Sequence, residues 1–378
     1  MKLFLANSPL YLLLFVLLHN TGIAGPKEDL LKKISADPDN NQLRLQYADL
    51  LSYGVRASFI RTQIEEAELR KQGKVKEALV LRDKARRIFQ LNHIELSEIP
   101  GTNGQSTDSS SDFSKYERGF IASHSINSVR AATDLNSILL PLNGLSPIEE
   151  IYIRDVNHAH RPLDRSFSKE VFIRIGTSPG FASVKIIDLD LHASKLGDST
   201  EMLKLAPALE RLSLSKAYDE KLNTSEFSKV AKVHSLKVRE LSLDGLNSGS
   251  GKHLAQWQAL KTVESLNIHR HYLSKTDLQD LSESKYLGNI DSFSISFAYE
   301  NTTKAKVNAL ADLLSVMPSL TKLYLPQDIP VAAKLAKVIS QMTANGVTVI
   351  NGFRSCELLL SKGFLGFGRH FRNGPRVK

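Results

Sequence analysis

"LERLSLSK" (Leu209–Lys216) writes an apolar residue, two variable ones, an apolar, one variable and an apolar, and "VRELSLDG" (238–245), "VESLNIHR" (263–270) and "LTKLYLPQ" (320–327) repeat that spelling. The motif recurs with central residues Ile151, Ile187, Leu212, Leu241, Leu266, Phe293 and Leu323, spaced 36, 25, 29, 25, 27 and 30 residues apart. Alternate residues such as Leu212 and Leu214 are apolar, as in a strand with one buried face. Helix-like stretches such as "STEMLKLAPALE" (199–210) and "TKAKVNALADLLSVMPSL" (303–320) run between the motifs. Each unit therefore reads strand then helix. A single unit cannot cover its own apolar face, whereas stacked units share one core.

The period, the motif and the intervening helices resemble leucine-rich repeats of the variety with full helices on the convex side, over about residues 146–353. The resemblance implies an α/β fold, a solenoid of parallel strands with convex helices, assigned to residues 114–353. "YERGFIASHSI" (116–126) reads as a first strand that caps the stack. Where many such repeats place an asparagine that bonds the turn backbone, this chain has Ala217, Leu246 and His271, so no asparagine ladder is expected. A doubly wound α/β domain has units of similar length and is the alternative. No glycine-rich phosphate loop follows any of the strands, which counts against it.

Ahead of the repeats, residues 26–99 read as a small all-α module. Asp37 with Pro38 is the expected start of a helix with Leu43, Tyr47, Leu50 and Leu51 on one face. A second helix aligns Ala57, Ile60, Ile64 and Ala67 and ends near Gly73, and a third aligns Ala78, Leu81, Ala85 and Ile88. The segment 28–69 resembles the repeat-companion domain found mainly in planctomycete-type bacteria. The resemblance is carried by Ala36-Asp37-Pro38-Asp39, Arg44-Leu45, Tyr47-Ala48-Asp49 and Phe59-Ile60-Arg61, with Leu50 standing where that family has tryptophan. It implies a module that precedes repeats, often leucine-rich ones, and brings no catalytic residue with it.

"LYLLLFVLL" (10–18) is far shorter than the ~20 apolar residues that a membrane-crossing helix needs. With Gly22 and Ala24 behind it, residues 1–24 read as a signal peptide cleaved after Ala24, so the protein is expected to be exported, periplasmic or extracellular, with a cytoplasmic location as the alternative. "PGTNGQSTDSSSD" lies in a flexible linker at 100–113. Cys356 is the only cysteine of the 378 residues, which excludes an intrachain disulfide and a cysteine-based zinc cluster. The net charge is +9, but residues 99–353 contribute only +1 and the end of the chain from Arg354 contributes +5. A nearly neutral body argues against duplex binding. Residues 354–378 read as a C-terminal cap with a basic tail, where Phe364, Phe367 and Phe371 among basic residues offer, as an alternative, contact with an anionic surface, either a membrane or a nucleic acid.

Catalytic signals are sparse. No G-x-S-x-G, H-E-x-x-H or phosphate-loop motif occurs. "HAHRP" (158–162) and "HRH" (269–271) place histidines at i and i+2, where a strand would turn them to one side, yet neither has an acidic or cysteine partner at ligand spacing, so they read as solvated loop histidines. Asp188 and Asp190 share a strand face and raise a paired-carboxylate reading, in which a metal-dependent or hydrolase-like enzyme would also use nearby histidines. The preferred reading assigns no catalytic residue, no metal ligand and no cofactor. It takes the outward strand positions as a partner-binding surface: Tyr152, Arg154, Asp188, Asp190, Ser213, Ser215, Ser242, Asp244, Asn267, His269, Ser294, Ser296 and Tyr324. The expectation is a monomeric, non-enzymatic protein that binds a protein partner on the concave sheet, with tyrosine and arginine as anchors.

Overall fold

The computed structural model describes residues 25–51, 54–97, 116–118, 120–128, 131, 134–143, 147–155, 166–191, 194–216, 221–298, 302–326, 329 and 332–351. The segment 1–24, the linker 100–113, the histidines of "HAHRP" (158–162), Ala217 and the segment 354–378 with Cys356 lie outside the described residues. The chain divides into two compact units, residues 1–121 with 144–147 and residues 122–143 with 148–378. Among the described residues, no helix is long and apolar enough to cross a membrane.

The first unit is a helical module of α1 (Pro26–Ala36), α2 (Asn41–Leu50), α3 (Val55–Lys71), α4 (Val75–Leu91) and the short α5 (His93–Ser97), with a small antiparallel pair, β1 (Tyr116–Glu117) and β2 (Phe120–Ile121). Leu31, Ile34, Tyr47, Ala48, Ala57, Ile60, Ile64 and Phe120 form its core. The start of α2 departs from the sequence expectation. Asp37 closes α1, and Asn40 caps α2 by accepting from Gln42 N at 3.1 Å and Leu43 N at 3.2 Å. Asn40 wins because its side-chain oxygen stands at the position from which the second and third amides of the helix are in reach. The buried face of α2 is also shifted, to Arg44, Tyr47 and Ala48, while Leu50 is exposed. Gly73, at φ +74°, ends α3 as expected.

The second unit is built on nine parallel strands: β3 (Ser123–Asn127), β4 (Glu150–Arg154), β5 (Ile186–Asp190), β6 (Arg211–Ser215), β7 (Glu240–Asp244), β8 (Ser265–His271), β9 (Ser292–Phe297), β10 (Lys322–Leu325) and β11 (Thr348–Asn351). Each of the seven inner strands pairs with its predecessor and its successor in the chain, and β3 and β11 are the edges. The order never reverses, which rules out the doubly wound alternative, since that fold changes direction at a switch point. "YERGFIASHSI" is divided: its first half makes the β1–β2 pair of the first unit, and Ser123 onward makes the first strand of the sheet.

The seven motif centres lie in one row as direct partners: Ile151, Ile187, Leu212, Leu241, Leu266, Phe293 and Leu323. All are essentially solvent-free. Two more positions complete the row, His124 on β3 and Val349 on β11. Crossovers between parallel strands are right-handed almost without exception, so an order that always advances in one direction puts the described connecting helices on the same face. These helices are α6 (Leu135–Asn143), α7 (Lys169–Thr177), α8 (Thr200–Lys204), α9 (Thr224–Val230), α10 (Gly251–Gln256), α11 (Lys275–Ser282), α12 (Lys304–Ser315) and α13 (Ala333–Ala344). Helices α10 to α13 pack side by side in chain order. Several are shorter than the full helices expected. "STEMLKLAPALE" supplies the end of a 3-10 turn (Leu196–Ser199) and only five α-helical residues, because Pro207 disfavours helical backbone just before it.

In place of an asparagine ladder, the turns after the strands bond one another through their backbones. Leu191 N donates to Ser215 O at 3.1 Å, Gly245 N to His269 O at 3.0 Å and Ala298 N to His271 O at 3.1 Å. His271 itself accepts from Leu273 N through Nδ1 at 3.2 Å, so an imidazole bonds the turn backbone.

Candidate functional site

The face of the sheet that carries no helices among the described residues is set by strand alternation: every residue between two core positions points to it. Tyr152, Asp188, Ser213, Ser242, Asn267, Ser294 and Tyr324 are successive Cα partners and form a single row from β4 to β10. Six inter-strand steps of about 4.8 Å set its two tyrosines roughly 29 Å apart. Arg154 pairs with Asp190 and Asp190 with Ser215, and farther along the second row Asp244 pairs with His269. Ser296 joins this second row through the bulge in β8. All thirteen positions read from the sequence therefore belong to one face.

The row is less open than the sequence suggests. Asp188, Ser294, Asn267, Ser242 and Ser213 are buried, as is His269, while Tyr152, Arg154, Asp190, Ser215, Asp244, Ser296 and Tyr324 are half-buried. Neighbouring strands stand so close that a short side chain is shielded by those on either side. The Asp188–Asp190 pair is thus less accessible than a partner-binding surface read from alternation alone implies. Asp188 is only 2% exposed, accepts from the Ser213 hydroxyl, and has no hydrogen-bond partner for Oδ2. Burial pushes its carboxyl up to about 6, against the pull of Arg154 and with the push of Asp190. Asp190 is raised as well, again chiefly by burial.

The histidines of "HRH" are likewise buried rather than solvated. Register slips between Ile268 and His271, where Arg270 adopts φ +41°. Both His269 and Arg270 thereby face Ser296, and Arg270 N donates to Ser296 Oγ at 3.1 Å. His271 is returned to the core, where its ring lies 4.4 Å from that of Phe297. Burial, with the charges of Lys306 and His269, holds its imidazole down to about 3. The two rings therefore do not share a side. Among the described residues, no group of three or more histidine, cysteine or acidic side chains is placed to hold a metal ion.

The bulge also delivers a residue that sequence reasoning missed. Arg270 clamps Asp244, with Nε 2.8 Å from Oδ1 and Nη2 2.5 Å from Oδ2. Nothing in local spacing announces it, because period-two alternation assigns Arg270 to the core. Glu150, Arg211 and Glu240, two residues before the main row, could have been found by extending that alternation. Tyr152 donates its hydroxyl to Glu150 Oε2 at 2.9 Å, and Arg211 Nε stands 2.6 Å from Glu240 Oε2. The Arg154 guanidinium lies 6.0 Å from the centre of the Tyr152 ring.

Fold and site together define an α/β protein with a helical amino-terminal module and a long polar row on the helix-free face of a nine-stranded parallel sheet. Compared with family models and with curated proteins, the chain has no match.

Proposed function

We propose that residues 114–353 are a leucine-rich-repeat solenoid preceded by a repeat-companion module at 26–99, and that the protein is an exported, non-catalytic scaffold binding a protein partner on the concave face of the repeats. The observation that carries this reading is the row from Tyr152 to Tyr324, in register over seven strands on the face without helices. Its floor is small and polar at Ser213, Ser242 and Ser294, with a tyrosine at each end. A strip of about 29 Å accepts some eight residues of extended polypeptide. Support for the companion module comes from what its motif residues do. Arg44, Tyr47, Ala48, Phe59 and Ile60 are buried, and Asp49 pairs with Arg61 at 2.8 Å.

A hydrolase-like reading needs a base beside Asp188 and Asp190. His269, the histidine described on that face, stands three strands from Asp188, about 14 Å, beyond hydrogen-bonding reach. Recognition is therefore the better-supported use of the face.

The test is a photo-crosslinking amino acid at Ser215 on this face or at Lys252 on the helical side, in the native host. A partner polypeptide is expected to crosslink from Ser215 and not from Lys252, and to be lost when Tyr152, Arg154 and Tyr324 are changed to alanine. Equal crosslinking from both sides sinks the reading. Sequencing the amino terminus of the host-made protein checks export, with Gly25 expected as the first residue.

A further inference from the structure

Among the described residues of the helix-free face, two ion pairs join neighbouring strands. Arg211 is matched by Glu240, and Arg270 by Asp244. At β5, two carboxylates, Asp188 and Asp190, stand in the field of the Arg154 guanidinium, and the other guanidinium that reaches Asp190, that of Arg270, is already clamped to Asp244. Among the described residues, the carboxylates there outnumber the cations by one. A second, independent observation points the same way. Asp188 is nine-tenths buried and more, yet its Oδ2 accepts no hydrogen bond, and in the same row the buried Asn267 has an Oδ1 in the same condition. Both bare atoms are acceptors, so each lacks a donor. Buried polar atoms are rarely left so, and the exceptions call for a reason.

We propose that the partner polypeptide bound by this face presents a lysine or arginine side chain that docks at Asp188 and Asp190. The inference rests on the recognition reading above and names the chemistry of the partner. Asp190, half-buried and next outward along β5, is the point of entry. The Asp188 carboxyl turns about its soft terminal torsion to meet the cation. The docked charge supplies the missing counter-ion and the missing donor at once, and the small Ser213 and Ser242 leave room for the chain that carries it. The raised affinity of Asp188 for a proton, which comes chiefly from burial, accords with a site that favours a neutralising partner.

The groups facing Asp188 are Tyr152 and Arg154 from β4, Ser213 from β6, Asp190 on its own strand and, farther off, Asp244 on β7. Of the carboxyls facing it, Asp190 is also raised, chiefly by burial. Binding of a cation is thus expected to weaken as pH falls through about 6, where Asp188 takes up a proton.

The experiment uses the full chain with fluorescently labelled hexalysine and hexaglutamate at low ionic strength, read by anisotropy. Because the whole chain carries +9, bulk charge favours hexaglutamate, so preference for hexalysine reports a local site. Hexalysine is expected to bind, to weaken by about fivefold or more in the double variant Asp188→Asn/Asp190→Asn, and to weaken between about pH 7.5 and about pH 5. It should be unchanged in Asp312→Asn, whose carboxylate pairs with Lys334 between helices α12 and α13. No binding of hexalysine, tighter binding of hexaglutamate, or equal affinity of the double variant overturns the proposal. Crosslinking from Ser215 without hexalysine binding overturns the cationic partner alone, whereas loss of face-specific crosslinking overturns the recognition reading itself.

Discussion

Asp188 shows how much one side chain can reveal. Its carboxyl is raised from 3.8 to about 6, so the folded chain binds this proton more tightly than the unfolded chain does. Stability contributed here is therefore lost as pH rises from about 4 to about 6, and at neutral pH the cost of the buried charge is fully present. Asp188→Asn is expected to stabilise the second unit by about 2–3 kcal/mol at pH 7, with the gain vanishing near pH 4, as urea titrations at the two pH values would show. His271 has the opposite sign. Held down to about 3, it stays neutral in the core, and its contribution is lost as pH falls from about 6.5 toward 3. In the first unit, the buried Arg44 donates through Nε and Nη2 to Pro38 O at 3.0 and 2.6 Å and through Nη1 to Glu117 O at 3.1 Å, with Phe120 5.0 Å beneath its guanidinium. Arg44→Met should lower the unfolding free energy of that unit by about 3 kcal/mol, since these charge-assisted bonds go and their carbonyls lose their donors. Alternation alone told which face Asp188 occupies. Its burial was not legible, because that comes from the strands on either side.

Among elements, the joints between successive helices depend on a carboxylate that reaches back one unit. Asp277 closes a capping box with Ser274 at the start of α11, its Oδ2 accepting from Ser274 N at 2.7 Å. Its Oδ1 also takes Gly249 N at 2.9 Å and Gly251 N at 2.8 Å, so one side chain caps its own helix and holds the turn before α10. These bonds to the charged form lower its pKa despite burial. Glu226 does similar work for Gly197 N at 2.9 Å. Asp277→Ala is expected to cost about 2 kcal/mol, read as a lower denaturant midpoint, and to leave the protein less sensitive to acid below about pH 4. A side chain at Gly251 would place its Cβ 2.4 Å from the Asp277 backbone, so Gly251→Ala should disrupt the same joint. Ser274 and Asp277 at i and i+3 carry a capping signal in the sequence. Their hold on residues 26 to 28 positions earlier is not written locally and exists only once the units are stacked.

At the scale of the whole molecule, a strand order that follows the chain makes each part of the second unit depend on its immediate neighbours. Leu241, in the middle of the core row and free of solvent, should cost about 3 kcal/mol when changed to alanine. Hydrogen exchange is expected to show the loss of protection centred on β6, β7 and β8, with β10 and β11 little affected, whereas uniform loss across the sheet would mean that the unit unfolds as one block.

The sequence by itself determined the seven motif strands, β4 to β10, and the alignment of their central residues. A period-two apolar pattern makes only one alignment bury every motif centre, so the row from Ile151 to Leu323 could be read before any coordinates. It also determined which face the polar residues take. Only the tertiary structure decided that Asp188 and Asn267 would be buried with bare acceptors, that a bulge would turn Arg270 onto Asp244 and send His271 inward, and that Asn40 rather than Asp37 would cap its helix. Periodicity is a property of neighbours along the chain. Burial, electrostatic balance and the choice between rival caps depend on neighbours across it, and those appear only when the strands and helices have come together.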